Sequence, residues 1–115
     1  MMAASYLYQA LRLDAQNPVR RQSPPWGGAV EQFVRAVTAE LAPKRINVVS
    51  PGVIDTPMFG NDADARAKML GGATAKNLIP RAGTSEEVAE GIMFVVKNDF
   101  VTGTTIDVDG GWILS

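Results

Sequence analysis

The sequence predicts an α/β fold built from two short parallel strands with flanking helices, and three observations carry that prediction. Two stretches, GAVEQFVRAVTAEL at 28–41 and TSEEVAEGIMFVVKN at 84–98, repeat apolar residues at helical spacing. RINVVS at 45–50 and the TTIDVD run inside TGTTIDVDGGW are short, rich in β-branched residues and bounded by Pro or Gly. Between Ser50 and Thr104 lies a long connection that contains a helix, so the strands are most simply parallel neighbours joined by a right-handed crossover.

The elements follow in order. Residues 1–14 read as a short helix with Tyr6, Ala10 and Leu13 on one face, and NPVRRQSPP then reads as irregular linker, since Pro18, Pro24 and Pro25 forbid a continuous helix. From Gly28, Val30, Phe33, Val34, Val37 and Leu41 form an apolar face opposite Glu31, Gln32, Arg35 and Glu40, with Pro43 as the stop. RINVVS is apolar on both faces, as in a covered parallel sheet, and Pro51 and Gly52 end it.

Residues 55–80 read as a partly helical loop whose clearest piece, DADARAKML, runs from an Asn61 or Asp62 cap to Gly71. In the next helix Thr84 and Glu87 have the spacing of a capping box, and Val88, Ile92, Val95 and Val96 are expected to face a core. Gly91 inside that helix implies close backbone packing, because glycine there costs roughly 1 kcal/mol against alanine. Ile106 and Val108 then alternate with Thr105 and Asp107 before a double-glycine turn.

Composition narrows the chemistry. A chain of 115 residues with 46% apolar content suits one modest domain. Its net charge of −1, with scattered Lys and Arg, lacks the basic footprint that nucleic acid or an anionic membrane selects. With no cysteine and no histidine, disulfides, Cys/His zinc sites, thiol nucleophiles and imidazole bases are excluded, which leaves Tyr, Lys and carboxylates for proton transfer. The start, MMAASYLYQALRLD, reads as neither a secretion signal nor a membrane span, so a cytoplasmic protein is expected.

Four pieces in linked order, GAVEQFVRAV, ELAPKRINVVSPGVIDTPMF, IPRAGTSEEVAEGIMFVV and FVTGTTIDVDGGW, resemble the C-terminal half of the short-chain dehydrogenase/reductase family over about residues 28–113. The chain accordingly divides into a divergent segment and linker at 1–26 and a family-like segment at 27–115. The resemblance implies the C-terminal part of a Rossmann-like doubly wound parallel sheet and a nicotinamide cofactor, NAD or NADP. It places Pro51, Gly52, Val53, Ile54 and Thr56 against the nicotinamide half of that cofactor, with backbone near the carboxamide and the threonine hydroxyl at the amide or pyrophosphate. A glycine at 52 would let backbone approach a flat ring, although PG is equally a plain strand terminator. Met58 and Phe59, with Met69 and Leu70, fall in the segment that by resemblance folds over the substrate; Met and Phe at these spacings also suit simple loop packing.

The family's proton-transfer pair, a tyrosine and a lysine four residues later on one helix face, is missing. Ser23 and Gly27 stand at those positions, and an unactivated serine hydroxyl is a poor acid near neutral pH. Tyr8 and Arg12 repeat the spacing fifteen residues earlier across the proline-rich linker, where a tyrosine packing at an interface is the simpler account. No Gly-x-Gly-x-x-Gly occurs in the chain, and the GG pairs at 27, 71 and 110 are wrongly placed to cradle a pyrophosphate. With the tyrosine/lysine pair missing, no catalytic residue is assigned; Asp62, Asp64, Asp107 and Asp109 invite a metal reading, but Asp62 fits a helix cap and the last two a strand-turn signature, so no metal site is assigned either.

The expectation is therefore a truncated family-like protein, an NAD(P)-dependent oxidoreductase by ancestry, weak or absent in cofactor binding and inactive as an isolated chain. The alternative is a non-catalytic module that associates with itself or with an intact relative, because a two-stranded parallel sheet leaves edges and apolar faces that need cover. A third account is a frameshifted or internally deleted gene. Neither nucleic acid nor a membrane is an expected partner.

Overall fold

The structure is a computed structural model that describes residues 25–114. The expected helix at 1–14, the linker as far as Pro24, the Tyr8/Arg12 spacing and Ser23 lie outside the described residues; Pro25, read as linker, instead begins a helix.

Helix α1 (Pro25–Leu41) leads to strand β1 (Val48–Pro51), a 3₁₀ turn (Pro57–Phe59), helix α2 (Ala63–Thr74), helix α3 (Ser85–Lys97), strand β2 (Thr105–Val108) and a last 3₁₀ turn (Trp112–Leu114). The strands pair in parallel, Val48 opposite Thr105 through Pro51 opposite Val108, as the long helical connection predicts. α1 begins three residues before Gly28, because proline is well tolerated in a first helical turn, and Gly27 is absorbed into that turn.

β1 starts at Val48, later than expected, since the residues before it are occupied otherwise. The Arg45 guanidinium donates to the carbonyls of Val95, Val96 and Asn98 at the end of α3, which satisfies acceptors that a helix C-terminus leaves open, and to the Val101 carbonyl in the segment beyond it. Asn47 donates to the Val101 carbonyl and accepts from the Thr104 amide. Within the ladder Val48 and Gly52 donate to the carbonyls of Thr104 and Val108. The alternate positions, Val49 and Pro51, therefore turn their nitrogens to the opposite edge, where proline's missing N–H leaves the β1–β2 pairing intact.

Gly91 is where α3 meets the sheet. A Cβ on it would stand 2.9 Å from Val108 Cγ2 and 3.7 Å from Val49 Cγ1, so the close packing implied by a mid-helix glycine is present. The capping box is present in full: the Thr84 hydroxyl accepts from the Glu87 amide, and the Glu87 carboxylate accepts from the Thr84 amide.

Two expectations are corrected, on α2 and α3, and the apolar face of α1, open to either an internal core or an interface, proves mostly exposed. α2 runs past Gly71 to Thr74, because Leu70 and Thr74 are buried and the Thr74 hydroxyl bonds back to the Leu70 carbonyl, which holds one more turn. On α3, Val95 is buried and Val88 half-buried, whereas Ile92 and Val96 are exposed. On α1, Val34 is buried at 6% exposure and Val37 half-buried, but Val30, Phe33 and Leu41 are exposed, Phe33 at 63%. Helical periodicity identifies an apolar stripe, yet a sheet of two strands is too narrow to cover one.

Candidate functional site

The C-terminal ends of β1 and β2 point the same way, the edge at which open α/β sheets bind ligands. Residues 52–56 leave β1 there and are fixed from two sides. On one side Gly52 packs under the turn that follows β2: a Cβ would lie 2.6 Å from Asp109 Cα and 2.9 Å from its carbonyl oxygen. Glycine at 52 is thus required by Asp109, a reason independent of any flat ring.

On the other side Gly83 forms a parallel bridge with Ile54, its amide donating to the Val53 carbonyl at 2.9 Å and its carbonyl accepting from the Asp55 amide at 2.8 Å. That bridge consumes the Val53 carbonyl and the Asp55 amide and leaves the Val53 and Ile54 amides outside it. The Ile54 side chain closes the gap, with Cδ1 2.9 Å from where a Gly83 Cβ would stand. Thr56 precedes the Pro57–Phe59 turn in extended conformation, and its hydroxyl makes no capping bond to that turn.

Asp109 shapes the wall opposite. Its carboxylate accepts from the Gly111 and Ile113 amides, while Gly110 and Gly111, at φ 63° and 77°, adopt the left-handed conformation the turn needs. Between this turn and residue 53 lies an open cavity of about 320 Å³ lined by Val53, Ile79, Gly83 and Val108, with Arg81, Glu87, Asp107 and Asp109 among its polar walls. Arg81 holds Glu87 through two hydrogen bonds, at 2.9 and 2.6 Å. These bonds, then the Thr84 amide and the guanidinium charge, pull the Glu87 carboxyl down to about 2; the same bonds and then the carboxylate charge raise Arg81.

Of the residues singled out in the sequence, Val53 lines this cavity, Gly52 and Pro51 lie at its β1 side, and Ile54 and Thr56 continue the same loop. Met58 is 84% exposed and Met69 is exposed too, so loop packing does not account for either; Phe59 is half-buried and Leu70 buried. Gly27, in the first turn of α1, brings no ionisable group to that helix.

Sequence reasoning missed two ion pairs around the loop, Arg81 with Glu87 and Asp55 with Arg66. Six and eleven residues apart and on different elements, they leave no periodic trace. Among the described residues no cluster of three or more carboxylates is placed to hold a metal, and no helix is long and apolar enough to cross a membrane.

Comparison with known proteins gives this geometry its relatives. A family profile described as enoyl-(acyl carrier protein) reductase matches residues 27–113. The short-chain dehydrogenase/reductase ATR9 of Stachybotrys chlorohalonatus is 39% identical over 87 residues, covering 76% of this chain and 34% of that protein. A cyclopentanol dehydrogenase of Comamonas testosteroni is 42% identical over 91 residues, covering 74% and 35%. A crystal structure of a small-chain dehydrogenase in complex with NADPH superposes with a TM-score of 0.66 at 35% identity, covering 76% of this chain and 41% of that one. The chain thus spans about a third of the length of the curated relatives it matches. With the parallel pair, the loop after it and the turn that closes on Gly52 all matched in order, the chain belongs to the short-chain dehydrogenase/reductase family.

Proposed function

We propose that residues 51–56 form the nicotinamide-side loop of an NAD(P)-dependent oxidoreductase acting on an alcohol or carbonyl, and that these 115 residues do not turn over substrate by themselves. One observation carries the reading: at the ligand-binding edge of the sheet, the Val53 and Ile54 amides and the Thr56 hydroxyl stand outside the bonds that fix their own loop. Amides so placed suit a carboxamide oxygen, and the hydroxyl suits the carboxamide or a pyrophosphate oxygen. Hydride transfer is the chemistry a nicotinamide supplies when bound. Pro51 and Gly52 set the loop's exit from β1, and Val53 offers an apolar wall.

The relative solved with NADPH supports NADP or NAD as the ligand class, without choosing between them for this chain. Proton transfer lacks its groups, because Ser23 and Gly27 occupy the two positions that the family fills with tyrosine and lysine. Absence of a Gly-rich loop from these residues also removes the phosphate cradle.

Titration of the purified chain with NADH and NADPH, followed by nicotinamide emission and tryptophan quenching, tests the reading. The expected result is weak, millimolar affinity that Thr56→Val weakens further, and no turnover on an alcohol and ketone panel; no binding at any reachable concentration would count against the nicotinamide-side loop. Saturable micromolar binding with turnover would overturn the inactive reading.

A second reading, self-association or binding to an intact relative, is favoured by the exposed apolar residues on two helices. Val30 and Phe33 on α1, and Met93, Phe94 and Val96 on α3, meet solvent, followed by a wholly exposed Phe100. Glu90 and Lys97 flank Met93 and Phe94 symmetrically, so an antiparallel second copy would set each carboxylate against an ammonium. A mass from light scattering that stays monomeric at high concentration would end this reading.

A further inference from the structure

Asp55 sits between two residues of the cofactor-side loop and was not among its expected contacts. Its backbone amide donates to the Gly83 carbonyl at 2.8 Å, which fixes the loop to the segment before α3. Its carboxylate takes the Arg66 guanidinium, both through Nε and through the terminal nitrogen. Arg66 belongs to the start of α2, where its own amide bonds the Asp62 carbonyl and the Asp62 carboxylate accepts from the Ala65 amide at 2.7 Å. One residue therefore touches both the fixed part of the sheet edge and the helix that follows the loop.

α2 is otherwise lightly held. Leu70 and Thr74 are its buried residues, and its main packing partner among the regular elements is the short Pro57–Phe59 turn. Between it and the loop lies an open cavity of about 240 Å³ lined by Asp55, Asn61, Ala63, Arg66, Ala67 and Leu70. The ion pair spans that gap. A helix seated over a void and tied across it by one half-exposed pair has room to shift, and any shift is transmitted to Asp55, the neighbour of Thr56.

We propose that Asp55 and Arg66 are a positioning pair that couples the order of residues 52–56 to the seating of α2, so that a ligand on the loop draws α2 and the exposed Met69 down beside it. The ligand arm rests on the nicotinamide-side reading above; the coupling itself does not. Met58, in the turn between loop and helix, is carried with them.

Hydrogen exchange on the full chain tests this in two arms. In the free protein Asp55→Asn and Arg66→Gln should each speed exchange of amides 63–74 about two- to fivefold, the scale of one half-exposed ion pair. The double variant should be no faster than either single one, and Asp55→Glu, which keeps the charge, should recover most of the protection. Additive effects, or no change in α2, would overturn the coupling; so would a uniform rise across the sheet, the signature of a residue that merely stabilises the fold.

In the second arm reduced nicotinamide mononucleotide is added at saturating millimolar concentration. Protection at 52–56 that extends to 63–74 in the parent chain but stops at the loop in Asp55→Asn is the expected pattern, and equal spread in both chains counts against the pair. If the parent loop gains no protection at all, the nicotinamide reading fails while the free-protein arm still decides the coupling.

Discussion

The loop after β1 and the entrance to α1 both contain glycine, and the structure treats them in opposite ways. At Gly52 a single added carbon would lie 2.6 Å from Asp109 Cα, and at Gly83 one would lie 2.9 Å from Ile54 Cδ1. At Gly28 there is nothing within 4 Å. The loop is a packed junction of three chain segments, in which Gly52 is demanded by the Asp109 backbone, while Gly83 meets only the movable end of the Ile54 side chain. The entrance is a helix end with no such demand. By resemblance the family's proton-transfer pair would stand at the second place, and the nicotinamide contacts proposed above lie at the first. Packing therefore protects the loop's shape whether or not chemistry follows, whereas at Gly28 no described residue stands close enough to require a glycine.

Gly52→Ala should give the largest effect. The atoms it meets are backbone and Cβ atoms of Asp109, which cannot swing aside, and Asp109 itself is tied to the Gly111 and Ile113 amides. Overpacking against such a wall destabilises by about 2–3 kcal/mol, read as a lower urea midpoint at unchanged slope. An unchanged midpoint would mean that the turn after β2 does not close on the loop, and the contrast with the helix entrance would collapse.

Much of this architecture could be read from the residues, and the part that could not has a physical reason. The parallel pair, the Thr84/Glu87 capping box, the tight packing at Gly91 and the double-glycine turn rest on local patterns or short spacings, which a sequence displays directly. The burial expected of Ile92 and Val96 did not follow, and the sequence left open whether Val30 and Phe33 turn inward, because periodicity identifies a face but not the width of what it meets. Within the candidate site the loop itself was legible through resemblance. Its fastening was not: Gly83, Asp55 with Arg66, and Arg81 with Glu87 meet only after the chain has folded back on itself. Even at Gly52 the residue was noticed while its reason, Asp109, lay 57 positions away in the sequence.

Acid sharpens the comparison by loosening the loop side alone. The Glu87 carboxyl sits at about 2 in the folded chain, below its ordinary 4.5, chiefly because Arg81 and the Thr84 amide hydrogen-bond the charged form. A depressed folded value means that its contribution is complete above about pH 4.5 and fades as pH falls toward 2. Stability measured across that window should decline less steeply in Glu87→Gln than in the parent chain, and protection of the Gly83 amide, taken relative to its intrinsic exchange rate at each pH, should fall in the parent as acid is added. Identical slopes would remove the carboxylate from the clamp. The effect is smaller than at Gly52, since Arg81 and Glu87 are both solvent-accessible and water competes for each bond.

Gly28→Ala should produce the smallest change, and of opposite sign. A methyl group here meets open space, and in a helix alanine gains over glycine because less backbone freedom is lost on folding. Near the start of α1 the gain should be about 0.5 kcal/mol, visible as a slightly higher urea midpoint with the slope unchanged. A loss instead would reveal a neighbour packed on the entrance, such as a second copy or residues 1–24, and that neighbour would then have to explain why the glycine is kept. A gain would mean that the first turn of α1 is free to carry almost any small residue. The helix would persist through its buried Val34 and the Thr38 contact with Gly103, both well past the entrance, and its first turn could exchange one small or polar side chain for another without any penalty that folding would register.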